Sequence, residues 1–300
     1  MPCFLYVRDM EQLSGKQLEL LQQITAALQQ VPGIAAVVLG GSYAAGQARP
    51  GSDLDLGIYY SAHAPFAVDH IRQIADRFSA GSDPVVTGLY EWGPWVNGGA
   101  WIQTAAGKVD FLYRSLEQLA GVVADAEKGL WAHHFDQQPP YGFRSVIYLA
   151  ELRVCQPLFD PEQKIAGLKT AVAAYPAPLK QTIVQDCLWL AEFTLMQCAG
   201  FAAAADVYNT TGCFTRAANY LVHALYALNE SFPLGDKRAL NELEQMAVRP
   251  RNFSARLNRI LGAPGQEADP LVSSLVSLKQ LWKEVVGLCG GTYRSRFGAD

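Results

Sequence analysis

The stretch that decides the fold is Val37 to Tyr60, VVLGGSYAAGQARPGSDLDLGIYY. It reads as an apolar strand, a Gly-Gly-Ser turn, a short helix, a Pro-Gly-Ser turn and a second strand. Because alternate residues of a strand point to the same face, Asp53 and Asp55 project together, while Leu54 and Leu56 face the core. The sequence therefore predicts two carboxylates fixed side by side.

These carboxylates and the Gly-Gly-Ser turn together predict a ligand. Two neighbouring carboxylates repel each other unless cations lie between them, and hard oxygen ligands of this type suit Mg²⁺. In the turn, Gly40 and Gly41 allow close approach of the backbone, and Ser42 offers a hydroxyl. The N-terminus of the following helix points N–H groups at an anion. A polyphosphate with a divalent metal is the ligand that this arrangement fits.

In this order, the residues resemble the nucleotidyltransferase superfamily of DNA polymerase beta type. Its signature is a strand, Gly-Ser, a spacer, and Asp-x-Asp on the next strand. Within it, the chain is most similar to the small bacterial members with a helical C-terminal half, which include aminoglycoside nucleotidyltransferases. The resemblance implies that Gly41 and Ser42 hold the terminal phosphates and that Asp53 and Asp55 bind the metals.

A third carboxylate follows in a predicted hairpin, with arms at Ala100–Thr104 and Lys108–Tyr113. Asp110 lies in the second arm, between apolar neighbours, in the run VDFLYR. The family carries a third carboxylate on a later strand, beside the first two. The resemblance therefore implies that Asp110 is the third metal ligand and, in some members, the group that accepts the acceptor's proton.

Three more residues are candidate nucleotide contacts. Arg49 and Ser52 lie in the loop before the first two aspartates. In related enzymes with a helical C-terminal half, a lysine from that half reaches the nucleotide phosphates. The loop SFPLGDKR resembles that segment locally, which implies the same role for Lys237.

The segment EWGPWVNGGAW, residues 91–101, contains three tryptophans and resembles a segment of a bacterial subgroup of these enzymes. Trp92, Trp95 and Trp101 could stack on a base or on an acceptor ring. They could equally close the interface between the sheet and the helical half. The sequence leaves both interpretations open, and we take Trp92 and Trp95 as candidate acceptor contacts.

A polar stripe on a later helix is a second candidate for acceptor binding. Arg216, Asn219, Tyr220 and His223 lie at i, i+3, i+4 and i+7 on one face of a helix that is otherwise rich in Ala and Leu. The alternative is a solvated surface or a satisfied buried network. We take Arg216, Asn219 and His223 as candidates for contact with the acceptor.

The fold class predicted for the 300 residues is α+β, in two domains. Residues 1–135 would form a mixed-sheet nucleotidyltransferase domain and residues 136–300 a helical bundle, with a linker near residues 131–141. From residue 143 onward, strand signals are absent and the apolar pattern is helical. The predicted helices of this half are 143–155, 161–173, 177–199, 203–229, 236–246, 252–261 and 268–288.

Composition limits the partners and the compartment. The chain has 28 acidic and 24 basic residues and no Lys/Arg run, which argues against binding of long nucleic acids. The six cysteines form no C-x-x-C pair, as is typical of a reduced protein. Neither a signal-peptide core nor a membrane-length apolar run is apparent, so the sequence predicts a cytoplasmic protein.

The resemblance implies transfer of AMP or another NMP from a nucleoside triphosphate to a hydroxyl of a small-molecule acceptor, with two Mg²⁺ ions. ATP is the first candidate for the triphosphate, and an aminoglycoside-like compound for the acceptor. One alternative is an antitoxin-like enzyme that adenylylates a protein, although such members are usually short. Another is a nucleotide-binding module without turnover. A homodimer is common among relatives, but no interface is apparent in the sequence.

Overall fold

The structure is a computed structural model that describes residues 12–297. Cys3, one of the six cysteines, lies outside this range, as do the first residues of a helix that the leucine pattern predicts over residues 10–30. The described chain divides into two compact units. The first takes the residues up to Ala124 together with Ala132–Ala174, and the second takes Asp125–Trp131 together with the residues from Tyr175 onward. The predicted boundary between residues 135 and 136 falls within the first unit.

A mixed sheet of six strands forms the centre of the first unit, with the order β3-β4-β5-β2-β1-β8. Strands β2 and β5 run parallel, and the other neighbours are antiparallel. The strands of this sheet are β1 Ile34–Leu39, β2 Leu54–Tyr60, β3 Val85–Val86, β4 Gly99–Thr104, β5 Gly107–Ser115 and β8 Gln156–Phe159. A separate two-stranded ladder pairs β6 His133–His134 with β7 Phe143–Arg144.

The helices follow the chain order α1 Gly15–Leu28, α2 Gly41–Ala44, α3 Val68–Phe78, α4 Leu116–Glu127, α5 Val146–Val154, α6 Lys164–Ala171, α7 Ala177–Ala203, α8 Val207–Leu228, α9 Ala239–Leu243, α10 Phe253–Gly262 and α11 Ala268–Leu288. The predicted α+β class is confirmed: a mixed sheet comes first and the helical region α7–α11 follows.

Alternation along β2 and β5 gives the sheet two different faces. One face carries the apolar residues of these strands, which pack against α1 and α3 through Leu21, Ile24, Leu28, Ile71 and Ile74. On β2 these residues are Leu54, Leu56 and Ile58, all buried. The polar residues of the same strands are thereby directed to the opposite face, which is where the site lies.

The second unit is built around the helices α7, α8 and α11, which pack against one another. Their buried faces are lined mainly by Leu, Ala and Phe, for example Leu188, Phe214 and Leu278, each fully buried. The indole N–H of Trp282 on α11 donates to the carbonyl of Leu188 on α7, at 3.1 Å. The helices predicted over residues 177–288 match the observed helices α7 to α11 closely.

The absence of strands after residue 143 was predicted wrongly. Residues 143–144 pair as β7, and residues 156–159 join the main sheet as edge strand β8, antiparallel to β1. Strand β8 is only four residues long and contains Pro157, which an edge strand tolerates because one side of its backbone needs no partner. Apolar periodicity cannot reveal so short a strand, because its stability comes from pairing with β1.

Two other local predictions also differ from the structure. The apolar residues of the segment 85–91 predict a third strand there, but β3 ends at Val86. Beyond it, Glu91 accepts a hydrogen bond from the N–H of Gly88 at 2.6 Å, and the side chain of Asn97 accepts one from the N–H of Tyr90 at 2.8 Å. These bonds hold a compact turn instead of a strand. The expected linker at 131–141 is partly ordered too, since it contains β6 and one 3-10 turn.

None of the helices within residues 12–297 combines the length and the apolar character required of a transmembrane segment.

Candidate active site

The three predicted carboxylates lie on one face of two neighbouring strands. Asp55 on β2 and Asp110 on β5 are register partners, and Asp53 precedes Asp55 by two residues. All three side chains are half-buried. The structure therefore brings together residues that are more than fifty positions apart in the chain, a juxtaposition that the family resemblance implied.

The environment of Asp55 disfavours its charge. Burial raises the pKa of this carboxyl, and the negative charges of Asp110, Asp53 and Glu151 raise it further, to about 6. Lys108 acts in the opposite direction. The charges of Asp110 and Asp53 therefore act on Asp55 as parts of one electrostatic cluster.

The Gly-Gly-Ser turn lies directly against Asp55. The N–H of Gly40 donates to the main-chain carbonyl of Asp55 at 2.8 Å. Gly41 has a φ of +57°, and a Cβ atom added there would lie 1.7 Å from Asp55 Oδ2. Only glycine both adopts this backbone conformation readily and leaves room for the carboxylate.

Lys108 supplies the cation of this cluster. Its ammonium donates to Asp53 Oδ2 at 3.0 Å and to Asp110 Oδ2 at 2.9 Å. Burial disfavours the charged amine, but these two carboxylates outweigh it and hold the pKa of Lys108 above its ordinary value. Lys108 was not among the predicted site residues. Its place two residues before Asp110 on one strand was a usable signal, because such residues share a face.

The predicted phosphate contacts of the first unit lie in α2 and in the turn that leads into β2. Ser42 is the second residue of α2, a helix of only four residues, and is partly exposed. Arg49 is exposed, and its N–H donates to the hydroxyl of Ser52 at 2.9 Å. The N–H of Ser52 in turn donates to the carbonyl of Arg49, which closes the Arg-Pro-Gly-Ser turn. Ser52 therefore shapes the loop that leads into the aspartates.

An ion pair between a buried arginine and a partly buried glutamate joins β5 to α5. Arg114 on β5 is 3 % exposed, and its guanidinium donates to both oxygens of Glu151 on α5, at 2.8 and 2.7 Å. It also donates to the carbonyls of Val96 and Tyr113. The bidentate geometry fixes α5 over the far end of β5. Sequence reasoning missed this pair, because nothing in the local pattern connects residues on a strand and on a later helix.

The tryptophans of residues 91–101 separate into two groups. Trp101, on β4, is the register partner of Asp110 and is 47 % exposed. Trp92 stacks on it, with ring centroids 5.1 Å apart. Trp95 instead packs among His134, Phe143 and Tyr148, with centroids 5.0 to 6.0 Å apart. The stacked pair Trp92–Trp101 thus adjoins the carboxylates, and Trp95 belongs to a packed aromatic cluster.

The remaining predicted residues belong to the second unit. Lys237 is exposed in the loop before α9. On α8, Asn219 and His223 are buried, at 7 % and 6 % exposure, while Arg216 is exposed, with its guanidinium 5.6 Å from the ring centre of Tyr220. Nucleotide or acceptor contact by these residues stays a prediction.

The donor set suits a divalent cation. Within the described part of the chain, no three His, Cys, Asp or Glu side chains are arranged as a ready-made metal cluster. The three aspartates nevertheless offer only carboxylate oxygens, which hard cations such as Mg²⁺ prefer. The ammonium of Lys108 already lies on two of these carboxylates as a stand-in cation. The residues present therefore fit a divalent ion.

One family model and one solved structure are similar to this chain. Residues 20–92 match the family model described as "Nucleotidyltransferase domain". The match includes the Gly41-Ser42 turn, Asp53 and Asp55, and it ends before Lys108 and Asp110. A solved structure, a nucleotidyltransferase-like protein from Exiguobacterium sibiricum, is similar with 10% identity and a TM-score of 0.41, over 91% of this chain and 78% of that chain. Among curated proteins, none matches the chain.

Proposed function

We propose that the nucleotidyltransferase domain of this chain moves a nucleoside monophosphate from a nucleoside triphosphate to a hydroxyl group of a small molecule. ATP is the first candidate for the donor, and Mg²⁺ for the cofactor. The observation that best supports this proposal is the contact between Gly41 and Asp55. It joins a turn suited to phosphate and a cluster of three carboxylates on one face of the sheet.

The leaving phosphates would lie at the Gly41-Ser42 turn. The backbone at Gly41 allows close approach, and Ser42 offers its hydroxyl as a hydrogen-bond donor. Because α2 is a single turn of helix, little help comes from a helix dipole. Binding of the β- and γ-phosphates would depend on the N–H groups and the hydroxyl of this turn, with exposed Arg49 as a further cation.

The carboxylates would hold the metal beside the reacting phosphorus. Asp53, Asp55 and Asp110 are the residues that would bind two divalent ions. When bound, such ions neutralise the charge that an in-line displacement spreads over the attacking and leaving oxygens. The acceptor oxygen attacks the α-phosphorus, the bond to the β-phosphate oxygen breaks, and pyrophosphate leaves. Asp110 would accept the proton of the attacking hydroxyl, since its strand adjoins β4 on the acceptor's side.

The direction of attack indicates where the acceptor binds. In an in-line displacement, the nucleophile and the leaving group occupy opposite sides of the phosphorus. The phosphate turn follows β1, and the strand order continues from β1 through β2 and β5 to β4. The acceptor would then approach over β5 and β4, where Trp101 is exposed next to Asp110.

This surface favours a particular chemical class of acceptor. The stacked Trp92–Trp101 pair offers a flat apolar face to a ring, and an indole face also attracts cations. A ring that carries both hydroxyl and amino groups, such as an aminocyclitol or an amino sugar, fits these features best.

The experiment that tests the proposal measures Mg²⁺-dependent release of pyrophosphate from ATP, CTP, GTP and UTP. Each is combined with a panel of aminoglycosides, neutral sugars and nucleosides. The wild type is expected to release pyrophosphate only with a triphosphate, Mg²⁺ and a ring acceptor, and mass spectrometry is expected to find an NMP added to that acceptor.

Three variants, Asp53→Asn, Asp55→Asn and Asp110→Asn, give the matched comparison, because each removes one charge and keeps the side-chain shape. We expect all three to lose transfer while circular dichroism shows an unchanged fold. Turnover at the wild-type rate in the Asp55 variant would contradict the proposal. If the enzyme modifies a protein and none of the small molecules, the acceptor is a protein and our proposed acceptor class is wrong.

A further inference from the structure

The position of Lys108 has a consequence for the order in which ligands bind. Its ammonium lies 3.0 Å from Asp53 Oδ2 and 2.9 Å from Asp110 Oδ2. These oxygens belong to the side chains that would bind a divalent ion. A divalent ion that enters the site therefore meets carboxylates that already bind a cation of the protein itself.

The strength of this competition follows from burial and charge. The Asp110 side chain is only 16% exposed, so its bond to the ammonium is partly protected from water. Hydrogen bonds between ionised partners are about twice as strong as neutral ones, and here one ammonium makes two of them. A free divalent ion has to break both bonds before it gains the carboxylates.

We propose that Lys108 is a built-in competitor of the divalent ion, so that the ion binds tightly only together with the triphosphate, whose phosphate oxygens take over the displaced ammonium. This inference rests on the proposed function. It assigns to Lys108 a role that the carboxylates do not have, namely coupling of metal binding to nucleotide binding.

The side chain is suited to such a displacement. Lys108 is 37% exposed at the side chain and follows the two-residue turn Ala105-Ala106 between β4 and β5. Its four-carbon stem allows the ammonium to move by rotation about single bonds, without a change in the strands. A triphosphate bound at the Gly41-Ser42 turn would bring several anionic oxygens to the same face. The ammonium would then exchange carboxylate partners for phosphate partners.

The test measures Mn²⁺ binding by electron paramagnetic resonance, with and without a non-hydrolysable ATP analogue. We compare the wild type with Lys108→Met, which removes the cation and keeps much of the stem. Lys108→Arg keeps the charge. Lys16→Met removes one charge from an exposed position on α1, whose apolar residues pack on the other face of the sheet.

We expect Lys108→Met to bind Mn²⁺ alone about tenfold more tightly than the wild type, a typical size for coupling between two ligands. Lys108→Arg and Lys16→Met should bind it like the wild type. The analogue should increase Mn²⁺ affinity strongly in the wild type and much less in Lys108→Met. The inference is overturned if Lys108→Met and the wild type bind Mn²⁺ alone with equal affinity. If both proteins still bind Mn²⁺ together with the analogue, the proposed function stays intact.

A wild type that binds no Mn²⁺ under either condition contradicts the proposed function and this inference with it. A measurement on the wild type keeps the inference testable if Lys108→Met does not fold. The ¹⁵Nζ resonance of Lys108, assigned by its loss in Lys108→Arg, should be visible in the metal-free protein and should shift when Mg²⁺ and the analogue bind. If this resonance does not change when Mg²⁺ and the analogue bind, Lys108 is not displaced and the inference is wrong.

Discussion

Asp55 on β2 and Asp110 on β5 face each other as register partners across two parallel strands, and each carries its carboxyl group to the same face of the sheet. Like charges directly opposite each other destabilise a sheet. This destabilising pair lies where the backbone of Gly41 also packs closely against the carboxylate of Asp55. Such a local violation of folding rules is expected at a functional site, and it makes the stability of the protein depend on charge there.

The first prediction concerns the pH dependence of stability at Asp55. Its pKa rises from 3.8 in the unfolded chain to about 6 in the folded protein, through burial and the neighbouring carboxylates. The folded state therefore holds a proton that the unfolded state releases. This contribution to stability is fully present below pH 3.8 and is lost as the pH rises through about 6.

We therefore expect Asp55→Asn to be more stable than the wild type at pH 8 without divalent ions, by about 2 kcal/mol, and nearly equal to it at pH 4. Urea unfolding at the two pH values measures this difference. Asp136→Asn, which changes an exposed carboxylate, serves as the control and should leave stability unchanged at both pH values. A loss of stability in Asp55→Asn at pH 8 would show that the carboxylate stabilises the folded protein even without divalent ions.

The second prediction concerns Gly41 and separates two effects of a side chain there: strain in the backbone and displacement of the Asp55 carboxylate. Gly41→Ala places a Cβ atom 1.7 Å from Asp55 Oδ2, at a φ of +57°. Gly46→Ala imposes similar strain, at a φ of +67°, but its Cβ would meet nothing within 4 Å. We expect both variants to lose about 1 kcal/mol of stability or more. Only Gly41→Ala should also lose pyrophosphate release, because only there must the carboxylate move.

Equal activity losses in the two alanine variants would mean that strain alone impairs the site. Thermal unfolding and pyrophosphate release, measured on the same preparations, distinguish these outcomes.

Much of this site was predictable from sequence, because its parts are local. The apolar runs that became β1 and β2 are bounded by Gly and Ser turns, and the structure has both strands where the sequence predicted them, before the Gly-Gly-Ser turn and after the Pro-Gly-Ser turn. The alternation in DLD placed Asp53 and Asp55 on one face, and the apolar neighbours of Asp110 indicated its strand. Each of these inferences needs only a period of two and a turn.

What the sequence did not predict depends on register and on pairing between distant segments. Lys108 reaches Asp53 only because β5 runs parallel to β2 with Val109 beside Leu54. No local pattern specifies that register. Strand β8 exists only through its pairing with β1, and four residues that include a proline carry too little signal of their own.

The third prediction concerns the acceptor surface. Trp101→Ala removes the exposed member of the stacked pair next to Asp110 and should raise the KM for the ring acceptor about tenfold, with little change in the KM for the triphosphate. Initial rates at varied acceptor concentration measure this effect. Trp95→Ala is the comparison, because it removes a packed indole of similar size. It should lower thermal stability without a selective effect on the acceptor.

If Trp101→Ala changes the KM of the triphosphate and leaves that of the acceptor unchanged, the indole contacts the nucleotide base, and our placement of the acceptor over β4 is wrong.

The fourth prediction concerns the ion pair that fixes α5. Arg114 is 3 % exposed and donates to both oxygens of Glu151, so Glu151→Gln would leave a buried guanidinium without its counter-charge. Removal of one partner of a buried pair costs about 3–5 kcal/mol. The control has the same bidentate geometry in a more exposed place: Arg256 donates to Glu284 at 2.7 and 2.8 Å, and both side chains are 31% exposed.

We expect Glu284→Gln to cost at most about 1 kcal/mol, because water solvates the remaining arginine. Urea unfolding of the two variants measures the contrast. Glu151→Gln should also lower the pKa of Asp55, since the charge of Glu151 helps to raise it. NMR titration of the Asp55 carboxyl checks this shift. An Asp55 pKa that stays at its wild-type value in a folded Glu151→Gln protein would show that burial and the aspartates alone determine it.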